Sequence, residues 1–131
     1  MITMDTCAII WDSLEPGKLS AKAKRAIKKA DGVNELLMCD VSIWEITMLV
    51  QRKRIEVDET PANLVKLILS SRNYKVVSIS PEIAELSVNL GEEINSDPAD
   101  RIIAATAILK HAPVVTVDKN LRDAGSLETV W

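Results

Sequence analysis

The chain has no phenylalanine, one tyrosine, one histidine and two cysteines, and each shortage removes a class of protein. A core without Phe must be built from Ile, Leu, Val, Ala and Met, with three tryptophans as its only large anchors. Cys7 and Cys39 form no C-x-x-C pair and His111 has no second histidine to act with, which argues against a zinc site or a disulfide framework. No apolar run approaches the roughly 20 residues that span a bilayer. No basic segment followed by an apolar stretch opens the chain, so the expectation is a soluble cytoplasmic protein without a membrane partner. Net positive charge is also missing: the formal charge is -3, against the basic excess of a nucleic-acid coat protein. A nuclease is not excluded, because its acidic centre subtracts from the total while local Lys and Arg meet phosphate.

What is present is ample apolar material, 47% of 131 residues, enough for one domain over residues 1–131. Met1–Met4, Glu35–Cys39, Lys75–Ile79 and Pro113–Val117 read as strands, with a further edge strand over Ser126–Trp131. Between them, helices are predicted from Asp5 or Thr6, from Ser20, from Ser42 through Gln51, and from Thr60-Pro61, Ser80-Pro81 and Asp97-Pro98. The last three pair a capping side chain with proline in the first turn. Leu64, Val65, Leu67, Ile68 and Leu69 supply one buried stripe, and Ile83, Leu86, Val88 and Leu90 another. Trp44 reads as core rather than as a surface for stacking bases, and Cys7 and Cys39 as buried small hydrophobes. Alternating strands and helices imply an α/β fold, a three-layer α/β/α sandwich around a mainly parallel sheet.

Four acids sit at the edges of these elements. Asp5 and Asp118 follow strands, and Glu45 and Asp100 are expected in the first turns of helices. In an open parallel sheet all four positions lie at the carboxyl edge of the strands, where ligands bind. Carboxylates gathered there repel one another unless a cation holds them, and oxygen donors of this kind suit Mg²⁺ or Mn²⁺. Such an ion makes hydrolysis of a phosphodiester feasible without a histidine or cysteine nucleophile. Each acid also has a purely structural explanation. Asp5 would cap a helix, Glu45 would complete a capping box with Ser42, Asp100 would favour a helix's positive end, and Asp118 would start a turn before Asn120. Asp97 fits the cap of its helix, which leaves Asp100 for the metal set and gives Asp97 a supporting place. Arg101, Lys119 and Arg122 stand beside these acids as candidates for RNA phosphate, with an ion pair to a neighbouring acid as the alternative for each.

The ordered segments Met4-Asp5-Thr6, Ser42-Ile-Trp-Glu45-Ile46, Asp97-Pro-Ala-Asp100-Arg-Ile-Ile-Ala-Ala105 and Thr116-Val-Asp118 resemble the PIN domain. More narrowly they resemble the VapC-type toxin ribonucleases of toxin–antitoxin pairs, over essentially the whole chain. The resemblance implies a Mg²⁺- or Mn²⁺-dependent endoribonuclease whose acidic positions are Asp5, Glu45, Asp100 and Asp118. Thr6 and Thr116 then match the hydroxyl positions that orient carboxylates or water. It further implies an RNA substrate, a cognate antitoxin lying in a groove near the active site, and a toxin homodimer. Trp11, Leu14 and the helices from Ser42 and Thr60 are the contact regions to test. One departure is visible: Asn95-Ser96 precedes the Asp-Pro segment where many relatives carry a histidine.

Two other readings differ in class. A phosphoaccepting receiver domain would use Asp40 as acceptor and Lys119 as phosphate partner, but it has no role for the Asp-Pro-x-Asp-Arg helix start. A catalytically idle module would keep the fold and bind RNA or a partner without cutting it.

Overall fold

Strands covered on both faces are apolar or have their polar groups bonded, and three short segments meet that condition, being buried along their whole length: Ile2–Met4 (β1), where the Thr3 hydroxyl donates to the Ala112 carbonyl at 3.0 Å, Leu36–Cys39 (β2) and Val114–Val115 (β4). In the computed structural model, which describes residues 1–131, they form the centre of a five-stranded sheet completed by Tyr74–Val77 (β3) and Thr129–Val130 (β5). The order is β3-β2-β1-β4-β5 and every neighbouring pair is parallel. Met4 lies opposite Met38 on one side and Val115 on the other. The period of two then divides the side chains. Ile2, Met4, Leu36, Met38 and Val115 enter one core, while Cys39 and Val114 enter the second.

Helices fill both remaining layers. Thr6–Leu14 (α1), Ala21–Gly32 (α2), Asp40–Gln51 (α3) and Pro61–Ser71 (α4) supply the first core, through Ile9, Ile27, Ile46 and Ile68 among others. Pro98–Lys110 (α6) and the short Lys119–Asp123 (α7) supply the second with Ile103 and Leu121, and Pro81–Asn89 (α5) packs on α6. Right-handed crossovers account for the division. The chain moves outward from β1 to β2 to β3 with its helices on one face, then crosses back to β4 with helices on the other. No helix is long and apolar enough to cross a membrane.

The helix starts predicted from local chemistry are found. Ser20, Thr60 and Ser80 accept from the backbone N–H of Ala23, Asn63 and Ile83, and Asp97 accepts from Ala99 and Asp100. His111 ends α6 in the left-handed region, with φ 52°. Helix α3 departs from expectation. It begins at Asp40, directly after β2, so Ser42 is not its cap and no capping box with Glu45 forms. Glu45 consequently lies in the second turn of α3, not the first.

Three residues expected in the core are at the surface, for a reason of helical geometry. Trp44 is 61% exposed because it stands two residues, about 200° of turn, from both Ser42 and Ile46, the residues α3 buries. Leu67 and Val88, the latter 78% exposed, likewise fall outside the buried arcs set by Leu64, Val65 and Ile68 in α4 and by Ile83 and Ser87 in α5.

Arg72, just after α4, ties the first helical layer together. Its Nε and Nη2 donate to the two carboxylate oxygens of Asp12 in α1 at 3.0 and 2.9 Å, and Nη1 reaches Asp31 in α2 at 3.4 Å. Asp12 is nearly solvent-free, so losing its partner strands a buried charge. Arg72→Met is expected to cost roughly 3 kcal/mol. Lys119→Met, which breaks an exposed pair with Asp123, is expected to cost under about 1 kcal/mol. Urea denaturation of the two variants checks the contrast, and equal losses would refute it.

Candidate active site

The strand order reverses direction between β1 and β4, and at such a switch point the carboxyl edge of a parallel sheet opens into a crevice. Asp5 leaves β1 there, its backbone N–H bonded to Val115 of β4 at 3.1 Å. Thr116 leaves β4 beside it. The buried Thr116 hydroxyl donates to Asp5 Oδ2 at 2.6 Å and accepts from the Asp118 N–H at 3.0 Å, so one side chain sets both acids. Asp5 is only 6% exposed and stands at the cap position of α1, where its side chain makes no cap hydrogen bond although the N–H groups of Thr6 and Cys7 lower its proton affinity, so capping explains it only in part.

The other acids come from helices. Asp118 caps α7, a helix not anticipated from the sequence, through Oδ1 to the N–H groups of Asn120 and Leu121. Its structural explanation therefore holds as far as one oxygen. Asp97 caps α6, and Asp100 in the first turn of that helix receives a hydrogen bond from Asn95 Nδ2 at 2.9 Å. Glu45 Oε1 accepts from the Thr6 hydroxyl, which also lies 2.9 Å from the buried Ser42 hydroxyl. Since Thr6 has one proton and gives it to Glu45, Ser42 is the donor of that second bond. Thr6 and Thr116 thus hold carboxylates. In each of the four acids, the hydrogen bonds described use one oxygen.

Electrostatics show that Asp5, Glu45 and Asp100 each sense the charge of neighbouring acids. Burial raises the Asp5 carboxyl above the ordinary range, opposed by the Thr116 hydroxyl and reinforced by the charge of Asp118. Burial likewise raises Glu45 against the Thr6 hydrogen bond, with repulsion from Asp97 and Asp5. Asp100 is pushed up to about 7 by burial, against the Asn95 hydrogen bond, with Asp5, Asp97 and Asp118 all adding to the rise. Cys7, beside them, rises to about 11 through burial and then the Asp5 charge. No ion pair of the chain reaches Asp5, Glu45, Asp100 or Asp118.

A set of carboxylates with mutual repulsion and no basic partner has the donor chemistry and the charge that suit a small divalent cation. Asp5, Asp100, Asp118 and Glu45 are the residues that could hold it. As placed, no three acids, thiols or imidazoles of the chain surround one point closely enough to enclose an ion. Each carboxylate instead leans on its own neutral donor, and a cation would have to draw the free oxygens together.

Two expected phosphate contacts are engaged elsewhere. Arg101 turns its guanidinium onto backbone carbonyls, bonding Ser87 at 2.8 Å, Ile94 at 3.0 Å, and Leu90. These are orphan acceptors at the end of α5 and in the loop to α6, which explains the pull. Lys119, 87% exposed along its side chain, pairs with Asp123 at 2.6 Å, the alternative weighed for it. This also leaves the receiver reading without its parts, because Asp40 Oδ2 accepts from the Ile79 N–H at 3.2 Å and Lys119 faces Asp123. Asn95 and Asn120 were not anticipated as site residues. Asn95 stood out only as a departure from a histidine, and nothing local distinguishes Asn120 from a turn residue.

A family model described as PIN domain matches residues 2–127. Ribonuclease VapC22 of Mycobacterium tuberculosis is 33% identical over 121 residues, covering 92% of this chain and 89% of that protein. Among solved structures, a toxin–antitoxin complex from Klebsiella pneumoniae superposes with TM-score 0.67 at 22% identity, and VapBC2 from Rickettsia felis bound to a promoter DNA fragment with TM-score 0.71 at 16%. In both, 98% of this chain and 97% of the other are covered. At these identities the superpositions show the shared fold.

The raised carboxyls have a consequence for stability. A carboxyl whose value in the folded state exceeds its unfolded one binds its proton more tightly in the native protein. Its contribution is therefore complete below the unfolded value of 3.8 and is lost as pH rises through about 7 for Asp100. Asp5 and Glu45 shift in the same direction. In a chelating buffer the melting temperature is expected to fall between about pH 6 and about pH 8, and Asp100→Asn to flatten that fall. Circular-dichroism melts at the two pH values check this, and an unchanged slope in the variant would refute it.

Proposed function

The chain belongs to the PIN domain family, among its VapC-type members, and on that premise we propose that it is a metal-dependent endoribonuclease acting as the toxin of a toxin–antitoxin pair. The observation that carries the reading is the gathering of four carboxylates from β1, α3, α6 and the β4–α7 turn at one switch point, without a basic partner. Asp5, Asp100 and Asp118 would hold Mg²⁺ or Mn²⁺, whose preferred donors are carboxylate oxygens. When bound, such an ion offsets charge on the phosphoryl oxygens and acidifies water.

The protein's own groups do the rest. Thr116 keeps Asp5 and Asp118 in fixed orientation, and Thr6 does the same for Glu45. Glu45, with one oxygen held by Thr6 and a raised proton affinity, takes the proton of the attacking water or holds a second ion. Attack at phosphorus then breaks the bond to the leaving oxygen of the RNA chain. The partner is an antitoxin segment seated in the groove between α1 and α4, where Leu14 and Leu67 are exposed beside Leu64 and Ile68, at the far end of α1 from Asp5 and not beside the acids as expected. The structural relative from K. pneumoniae is itself a toxin–antitoxin complex, and we extend the association to this chain together with homodimerisation.

Asp5→Asn is expected to lower cleavage of RNA by at least about a thousandfold, as loss of a metal ligand and of charge at the reacting centre would. EDTA should abolish wild-type activity and Mn²⁺ should restore it. The variant should melt no lower than wild type in chelator, since Asn relieves a buried charge. Full activity of purified Asp5→Asn would sink the proposal, and wild-type protein that binds RNA without cutting it in Mn²⁺ would favour the idle module. For the partner, Leu67→Asp should weaken binding of the co-expressed product of the neighbouring reading frame. Unaltered binding would move the docking surface elsewhere.

A further inference from the structure

The loop joining α5 to α6 carries an asparagine whose side-chain amide is fully engaged. Asn95 Oδ1 accepts from the Asp97 N–H at 2.9 Å, and because an N–H can only donate, this contact identifies the oxygen end of the amide. Its Nδ2 therefore faces two acceptors, Asp100 Oδ2 at 2.9 Å and Asn120 Oδ1 at 3.2 Å, one for each hydrogen. Asn120 is engaged in turn. Its Oδ1 also accepts from the Asn95 N–H at 2.9 Å, its Nδ2 donates to the Glu93 carbonyl at 3.1 Å, and its backbone N–H donates to Asp118 Oδ1 at 2.8 Å. A continuous run of hydrogen bonds thus passes from Asp118 through Asn120 and Asn95 to Asp100.

We infer that Asn95 and Asn120 form a bracket of positioning residues that sets Asp100 and Asp118 relative to each other for the divalent cation. The inference rests on the cation reading given above. The choice of residue follows from charge. A lysine or arginine in the same place would orient Asp100 but neutralise it, whereas the Asn95 amide orients it and leaves its charge for the ion, and the Asn120 amide links Asn95 to the turn whose backbone N–H holds Asp118. The bracket is itself anchored, since Arg101 in α6 bonds the carbonyls of Ile94 at 3.0 Å and Asn95 at 3.3 Å and so fixes the loop to the helix that carries Asp100. Pre-set partners of this kind govern how well ligating side chains hold a metal.

The test is Mn²⁺ titration of wild type, Asn95→Ala, Asn120→Ala and the double variant, with free Mn²⁺ counted by electron paramagnetic resonance well below each melting temperature. Cleavage kinetics at saturating Mn²⁺ are measured in parallel. Each single variant is expected to bind Mn²⁺ about tenfold more weakly. The double variant should be no worse than the weaker single, because either change breaks the same run of bonds. At saturating metal, kcat should fall while KM for RNA stays unchanged. A merely structural loop contact would lower the melting temperature and leave Mn²⁺ affinity at the wild-type value, and that result would overturn the bracket. Losses that multiply to about a hundredfold in the double variant would overturn it too, by showing two independent contributions. If Asn95→Ala fails to fold, Asn120→Ala alone decides, as its side chain touches no acid. Wild-type protein that binds no Mn²⁺ would overturn the cation reading and the bracket with it, an outcome distinct from variants that bind normally.

Discussion

A nearly solvent-free carboxylate, Asp5, stands where two adjacent parallel strands end, faces the charge of Asp118, and has no Lys or Arg to answer it. Much of the surrounding structure is arranged around that repulsion. Folding brings Glu45, Asp100 and Asp118 toward the same edge and pushes up the proton affinity of two of them along with Asp5. The cost is carried by the fold as a whole, through two apolar cores on either side of the sheet and the Arg72 tie between α1, α2 and α4.

Neutral donors keep that charge from collapsing into ordinary ion pairs. Hydroxyls of Thr6 and Thr116, the amide of Asn95 and the first N–H groups of α7 each take one carboxylate oxygen. The positive end of α6 helps Asp100, yet a helix end contributes about 0.3–1 kcal/mol, less than the roughly 1.4 kcal/mol of a single pKa unit. The rise of Asp100 from 3.8 to about 7 spans more than one such unit, so burial and repulsion prevail over the helix. Two of the three cations nearest in sequence are diverted. Arg101 is held by carbonyls and Lys119 by Asp123, which leaves the edge anionic.

Features that depend on a few consecutive residues were legible in the chain. Thr60-Pro61, Ser80-Pro81 and Asp97-Pro98 open helices because cap and proline act within one turn, and the buried strands follow from short apolar runs between turn residues. The parallel sheet followed from alternation, and the places of Asp5 and Asp118 at strand ends followed from the sheet. What depends on distant partners was not legible. The start of α3 at Asp40 is set by its immediate exit from β2, so the Ser42–Glu45 pairing that looked local is replaced by contacts across 36 and 39 residues to Thr6. Trp44 is apolar by composition and exposed by phase, and the match between Asn95 and Asn120 spans 25 residues with no pattern to announce it.

The hydroxyl contact between Thr116 and Asp5 joins residues 111 apart, and β1 has no β4 neighbour until that part of the chain is in place. Contacts of such long range close late and slowly during folding, after the local helices have formed. The acidic edge is therefore a property of the completed domain. During synthesis, a chain that has not yet emerged past Thr116 carries Asp5 without the hydroxyl that orients it, and one that stops short of Asp118 lacks one of the four acids, so no amino-terminal fragment of that length presents the assembled site.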